Sequence, residues 1–184
     1  MENPAMKLDG VFMKNRRGKS IVFIDLPQLI NNPWKTDFYD LFQKLRAEFD
    51  DVKTFAKVPD ENSGIGILRV AANAGALPIL CPGDPDPIIA EEIRRAIERK
   101  DVGKIGVVEG DNCFFQTLET AKKRGVRIKV ILPFNNKSRL LTTIADEVVP
   151  IESYTQVSFS DEHNISSSII SRCNEITSVD HYVR

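Results

Sequence analysis

Short apolar runs alternate with helix-like segments from residue 20 to residue 151. The first run, Ser20–Asp25, contains four successive apolar residues, which is typical of a strand buried on both faces. Further strand-like runs follow at 52–58, 77–81, 104–108, 126–132 and 147–151. Because strands separated by helices form parallel sheets covered on both faces, the sequence predicts an α/β fold. We expect a three-layer αβα sandwich with a mainly parallel central sheet.

The boundaries of the helices are indicated by caps and prolines. Apolar residues at helical spacing predict a helix over 36–49, capped by Thr36 or Asp37. The preceding stretch 26–33 contains two prolines and is expected to lack regular structure. Asp86-Pro87 predicts a helix start with the aspartate as N-cap and the proline at the first helical position.

The two ends of the chain differ from the middle in charge. Residues 1–19 carry five Lys/Arg against two acids and form a basic extension, and 20–151 is the predicted domain. Residues 152–184 carry five acids, two arginines and eight serines, and form a predicted acidic tail. Apolar residues from Ile165 to Ile176 recur at helical spacing, so a short amphipathic helix and disorder both remain open there.

Composition excludes several classes of protein. The 184 residues have a net charge of −1, which argues against an overall basic nucleic-acid binder. No window approaches the ~18 apolar residues of a membrane span, and the first residues lack a signal-peptide core. Three separated cysteines and two histidines near the C-terminus argue against a disulfide scaffold or a Cys/His zinc site. We expect a soluble cytoplasmic protein, with an isologous homodimer as the commonest oligomer.

Acidic side chains follow successive predicted strands. Asp25 ends the first strand, Asp111 follows a later one, and Asp86 starts a helix that also carries Glu92. Because parallel strands end at one edge of a sheet, these carboxylates are expected to converge there. Two such charges ~4 Å apart repel by about 4 kcal/mol at an effective dielectric of 20. Protonation, a basic side chain or a divalent cation such as Mg²⁺ or Mn²⁺ would relieve that repulsion.

Each acid also has an ordinary structural interpretation. Asp25 fits a turn at the end of a strand, and Asp86 and Asp111 fit helix N-caps. Glu92 fits a solvated or salt-bridged position on its helix, and Glu91 is expected to face water and pair with an arginine. No single acid is decisive. Their common placement after successive strands favours a shared site.

Several segments resemble the NYN domains of the PIN-like nuclease superfamily. Residues 21–29 (IVFIDLPQL) resemble the opening of that domain, which has a hydrophobic strand, Asp, two residues, Asn and Leu. Residues 83–92 (GDPDPIIAEE) and 107–114 (VVEGDNCF) resemble its later GVD…D and SGDGDF segments, with Glu109 in place of the serine of the second segment. Residues 125–130 and 138–149 resemble its closing strand, helix and strand, so that the resemblance spans 20–151.

The resemblance implies a PIN-like fold and a Mg²⁺- or Mn²⁺-dependent ribonuclease. It makes Asp25, Asp86 and Asp111 catalytic and metal-binding acids, and Glu92 stands where another aspartate is usual. The chain departs from the pattern at Cys113, which replaces a second aspartate. Loss of a carboxylate weakens divalent binding, and a thiol is a poor Mg²⁺ ligand. The alternative is a catalytically degenerate PIN-like protein that binds RNA or a protein partner.

Contact with single-stranded RNA requires cations beside the acids. Lys137 and Arg139 precede or open a predicted helix at the same sheet edge, and Arg16 precedes the first strand. Such side chains grip phosphates without reading sequence, although an ordinary solvated charge is an equally simple interpretation. Gln28 stands where the resembled domain has its asparagine and is the fourth predicted substrate contact. A small-molecule α/β protein is a third alternative, but no glycine-rich phosphate cradle follows the first strand.

Overall fold

The computed structural model describes residues 18–30, 34–57, 65–110, 112–133 and 138–159. Their strands are β1 Lys19–Asp25, β2 Trp34–Thr36, β3 Asp51–Lys57, β4 Leu77–Cys81, β5 Val102–Val108, β6 Arg127–Leu132, β7 Glu147–Pro150 and β8 Val157–Phe159. Their α-helices are α1 Leu26–Ile30, α2 Phe38–Glu48, α3 Ile65–Asn73, α4 Asp86–Glu98, α5 Phe115–Lys123 and α6 Arg139–Ile144. Within these ranges, the helices fall short of the length and apolar character that crossing a membrane requires.

Six strands form one parallel sheet in the order β4-β3-β1-β5-β6-β7. The chain builds outward from β1 to β4, then crosses to the other side of β1 to start β5. The switch in strand order therefore falls between β1 and β5, where the loops at the carboxyl ends diverge and leave a crevice. The predicted three-layer αβα sandwich is confirmed, with a central sheet that is entirely parallel.

Side chains alternate between two cores on the two faces of the sheet. Ile24 of β1 packs in a cluster with Leu41 and Phe42 of α2, whereas its neighbour Phe23 packs in a cluster with Ile93 of α4 and Leu118 of α5. This alternation follows from the two-residue period of a strand and explains why β1 is apolar throughout. Helices α1 to α3 thus cover one face, and α4 to α6 cover the other.

Two helix boundaries differ from the sequence prediction. Residues 26–30 form α1, although irregular structure was expected; Pro27 lies in its first turn, where a backbone N–H has no partner within the helix. Helix α4 starts at Asp86, with Pro85 at the N-cap position, so the predicted start is wrong by one residue. Asp37 caps α2 as predicted, and its carboxylate accepts a hydrogen bond of 3.2 Å from the Asp40 N–H.

A short antiparallel pair, not predicted from the sequence, joins the segment after α1 to the segment after β7. Strand β2 pairs with β8, with Trp34 opposite Phe159. Between β7 and β8 the side chain of Thr155 is buried and donates a 2.8 Å hydrogen bond to the Asp37 carbonyl. Residues 152–159 therefore pack against the N-terminus of α2. The basic extension up to residue 17 and the predicted tail helix lie outside the described residues.

Candidate functional site

Two buried carboxylates lie at the carboxyl ends of neighbouring strands. Val108 of β5 is in register with Ile24 of β1, so Glu109 and Asp25 end adjacent strands. Neighbouring strands of a sheet lie about 4.8 Å apart. Alternation places both on the sheet face that α4 and α5 cover. Asp25 is 5% exposed and Glu109 only 1%, so both side chains are largely shielded from solvent. The sheet therefore places two acids at the switch point in strand order.

Glu109 is held by backbone contacts on either side. Its N–H donates to the Ile131 carbonyl at 3.2 Å, which extends the pairing of β5 with β6 by one residue. Its Oε1 accepts a 2.7 Å hydrogen bond from the Gly110 N–H. A buried carboxylate that is fixed in this way presents its second oxygen in a defined direction.

Asp86, Glu109 and Cys113 form a group whose ligand atoms all lie within 4.8 Å of one another. Asp86 is the first residue of α4, Glu109 follows β5, and Cys113 lies in the 3₁₀ turn Asn112–Phe114 before α5. Three separate segments thus bring two carboxylates and a thiol together. Two ionised carboxylates at this separation repel by about 3 kcal/mol at an effective dielectric of 20, and a divalent cation would reverse that interaction.

The donor set decides which ions fit the group. Its carboxylate oxygens suit Mg²⁺ and Mn²⁺, the ions that the sequence resemblance implies. The sulfur of Cys113 is a poor ligand for Mg²⁺ and a good one for Zn²⁺. The group as a whole therefore fits a divalent ion, and its third donor departs from an all-oxygen magnesium site.

The same edge continues past Asp25 to the end of β4. The thiol of Cys81, the last residue of β4, is buried, and this burial raises its pKa. The negative charge of Asp25, and more weakly that of Asp84, raises the same pKa further. Asp25 thus adds negative potential next to the group of three, although the group itself consists of Asp86, Glu109 and Cys113.

Glu92, a predicted site residue, lies elsewhere on α4. Its carboxylate accepts a 2.6 Å hydrogen bond from Lys53 of β3 and a 2.9 Å hydrogen bond from Arg95. The hydrogen bond from Lys53 outweighs partial burial and lowers the pKa of Glu92. Glu92 therefore anchors α4 to β3, and it occupies the salt-bridged position that its place on the helix allows. Glu91 pairs with Arg95 at 3.3 Å, as its spacing predicted.

Of the four predicted substrate contacts, two lie within the described residues and two lie outside them. Gln28 is half-buried on α1, three residues after Asp25. Arg139 is exposed at the start of α6, next to the N-cap Ser138. The Ser138 hydroxyl donates a 2.5 Å hydrogen bond to Asn112 Oδ1, which brings the start of α6 beside the turn that carries Cys113. Asp111, Lys137 and Arg16 lie outside the described residues.

In the sequence, Glu109 and Cys113 are recognisable only as departures from the resembled pattern. In the structure, they supply two of the three ligand atoms of the candidate site. One signal for Glu109 was present in the sequence, since it directly follows the buried run 104–108 at the level where β1 ends in Asp25. The convergence of Cys113 depends on the tight turn at 112–114, which local composition does not reveal.

Comparison with known proteins adds the fold and no more. No family model matches the sequence, and no curated protein matches it. The chain is similar to the crystal structure of a protein of unknown function, VPA0982, from Vibrio parahaemolyticus RIMD 2210633. The TM-score is 0.63 at 17% identity, over 78% of this chain and 100% of that chain. At this identity, the likeness shows the architecture alone.

Proposed function

We propose that the protein is a divalent-metal-dependent ribonuclease that hydrolyses RNA at the carboxyl edge of its sheet, in the cytoplasm. The observation that carries the proposal is the meeting of Asp86, Glu109 and Cys113 within 4.8 Å, at the switch point in strand order. The resemblance of 20–151 to NYN domains supplies the reaction class. We propose Mg²⁺ or Mn²⁺ as the cofactor on the same basis.

The chain's own residues have distinct tasks in this proposal. Asp86 and Glu109 hold the ion, and the Gly110 N–H keeps the buried Glu109 carboxylate in its orientation. Asp25 adds negative charge at the neighbouring strand end and strengthens cation binding. A bound divalent ion would stabilise charge on the phosphate oxygens and lower the pKa of water. In the reaction, a water oxygen bonds to phosphorus, the P–O bond to the leaving oxygen breaks, and that oxygen takes a proton.

Single-stranded RNA is the proposed substrate. Arg139 is exposed next to a residue that bonds to the turn carrying Cys113, so its guanidinium is available to a phosphate near the site. Gln28 follows Asp25 on α1 and is the proposed polar contact on the other side. Lys137 and Arg16 remain proposed phosphate contacts from the sequence. Contacts of this kind give affinity that falls with salt and carries little sequence preference.

A cleavage assay with matched variants tests the proposal. Labelled single-stranded RNAs are incubated with the purified protein and Mg²⁺, Mn²⁺ or Zn²⁺, with and without a chelator. We expect Asp25→Asn, Asp86→Asn and Glu109→Gln each to lower cleavage by at least about 100-fold. Glu91→Gln on the outer face of α4, where the side chain is 45% exposed, is the control and should cleave normally. Wild-type protein that cleaves none of the RNAs with any of the ions would overturn the proposal.

A second candidate is a catalytically degenerate PIN-like protein that binds RNA or a protein partner. The specific observation in its favour is the thiol of Cys113, which stands where a third oxygen donor would complete an acidic site. Calorimetry separates the two candidates. RNA binding that is unchanged by Glu109→Gln, with no heat from divalent ions and no cleavage, favours the binding protein.

A further inference from the structure

The third donor of the Asp86–Glu109–Cys113 group is a sulfur atom, and it comes from a side chain that solvent can reach. Sulfur is a soft ligand that binds Zn²⁺ and Co²⁺ well and Mg²⁺ poorly, because Mg²⁺ prefers six hard oxygens and gives up its water reluctantly. A group in which one of three protein donors is a thiolate therefore discriminates between these ions.

The donor atoms of the group can be compared with the spacing of donors in a three-ligand zinc site. In a tetrahedral site, Zn–S is about 2.3 Å and Zn–O about 2.0 Å, which puts sulfur and oxygen donors about 3.5 Å apart. The present donors lie within 4.8 Å, so closure needs movements of roughly 1 Å. Cys113 is exposed and Asp86 half-buried, whereas Glu109 is buried. Three protein ligands leave one position of a tetrahedral ion for water or substrate.

We infer that this group selects a thiophilic divalent ion of the Zn²⁺ class over Mg²⁺, through Cys113. The inference rests on the proposed metal site and replaces the Mg²⁺ or Mn²⁺ that the sequence resemblance implies with an ion of the Zn²⁺ class. Glu109 supplies a fixed buried oxygen, Asp86 a second oxygen from the start of α4, and Cys113 the sulfur that sets the preference. The chemistry at the phosphate stays that of a Lewis acid, and only the identity of the resident ion changes.

Co²⁺ is the probe for the sulfur ligand. A Co²⁺–thiolate bond gives a charge-transfer absorption in the near ultraviolet that all-oxygen sites lack. We expect the wild-type protein to show this band, Cys113→Ser to lose it, and Cys81→Ala to keep it. Cys81 is the matched control because its thiol is buried at the end of β4, outside the group. A band that survives in Cys113→Ser overturns the inference.

Calorimetry measures the selectivity itself. We expect Zn²⁺ to bind wild-type protein at least about 100-fold more tightly than Mg²⁺ and Cys113→Ser to lower Zn²⁺ affinity at least about 10-fold. Cys113→Asp replaces sulfur with hard oxygen and should shift the preference toward Mn²⁺ and Mg²⁺. Zn²⁺, but not Mg²⁺, should also protect Cys113 from alkylation by iodoacetamide, read by peptide mass spectrometry. Since Cys113 is exposed, these variants should fold, and circular dichroism checks that they do.

The outcomes distinguish this inference from the proposed function. Cleavage with Mg²⁺ that is equal in wild type and Cys113→Ser, with no Co²⁺ band, overturns the inference and leaves the ribonuclease standing. Tight Zn²⁺ binding through Cys113 without RNA cleavage supports the inference and overturns the ribonuclease. A folded protein that binds none of these ions overturns both.

Discussion

Two regions of the molecule gather carboxylates, and they differ in the groups that these carboxylates meet. At the C-terminus of α2, the Glu48 carboxylate contacts Lys104, accepts hydrogen bonds of 2.8 and 3.1 Å from Lys129, and contacts the Tyr154 hydroxyl. Lys129 in turn reaches Glu147 at 2.8 Å. We call these five residues the Glu48 network. Among the three residues of the Asp86–Glu109–Cys113 group, by contrast, each donor is neutral or negative.

The pKa values in the Glu48 network show what this pairing achieves. Partial burial alone would raise the pKa of Glu48, but hydrogen bonds from Lys104, Lys129 and Tyr154 lower it to about 2. Burial and the hydrogen bond to Glu48 raise the pKa of Tyr154 to about 12. The network is therefore satisfied in its charged form and ties α2 to β5, β6 and the segment after β7. Acids paired with internal cations stabilise the fold in the Glu48 network, whereas the group at the sheet edge brings two carboxylates and a thiol together, a donor set that suits a divalent cation.

Loss of a cation from the Glu48 network should lower the free energy of unfolding more than any other change considered below. Lys129 is 7% exposed, so Lys129→Met leaves a partly buried carboxylate short of one cation and should cost about 3 kcal/mol of unfolding free energy. Urea denaturation measures it. Lys123→Met, which removes a 70% exposed lysine from an i,i+4 pair on α5, is the control and should cost less than about 0.5 kcal/mol. Equal costs for the two variants would contradict a stabilising role for the network.

The next effect is an acid dependence of stability that comes from Glu48. Its folded pKa of about 2 lies below the unfolded value of 4.5, so its contribution is complete above pH 4.5 and disappears as the pH falls toward 2. The contribution is at most about 3 kcal/mol near neutral pH. Urea denaturation of wild type and Glu48→Gln at several pH values should show a difference that shrinks through this window. A difference that does not change with pH would contradict the assignment.

At the sheet edge, the corresponding effect depends on added metal. A divalent ion at about 100 times its Kd adds about 2.7 kcal/mol to the stability of a protein that binds it only when folded. We expect wild type and Glu48→Gln to gain this stability, measured as a rise in Tm of several degrees. Glu109→Gln should lose the gain, because a neutral amide oxygen is a weaker ligand for a divalent cation than a carboxylate oxygen. An equal metal-dependent rise in Glu109→Gln would exclude Glu109 as a ligand.

The sequence predicts the buried strands of the sheet but not the contacts between distant segments. Apolar runs such as Ser20–Asp25 predict strands because they are buried on both faces, and parallel strands place their ends at one edge. The pair β2–β8 was missed because its two three-residue strands depend on pairing between residues more than a hundred positions apart. The partners of Glu48 also lie on distant strands and on the segment after β7, so their charges carry no local signal.

Glu92 is another residue whose distant partner the sequence does not reveal, and its substitution should change stability least. Its place on α4, six residues after Asp86, suggested a ligand, but Lys53 of β3 lies 2.6 Å from its carboxylate. Glu92→Gln should cost about 1 kcal/mol of unfolding free energy, because both partners are largely but not fully buried. It should leave the metal-dependent rise in Tm unchanged, whereas Glu91→Gln should change neither quantity measurably. If Glu92→Gln lost the metal-dependent rise in Tm, Glu92 would belong to the sheet-edge group. If metal binding were unchanged and stability lower, Glu92 would belong with the paired acids, as its contact with Lys53 requires.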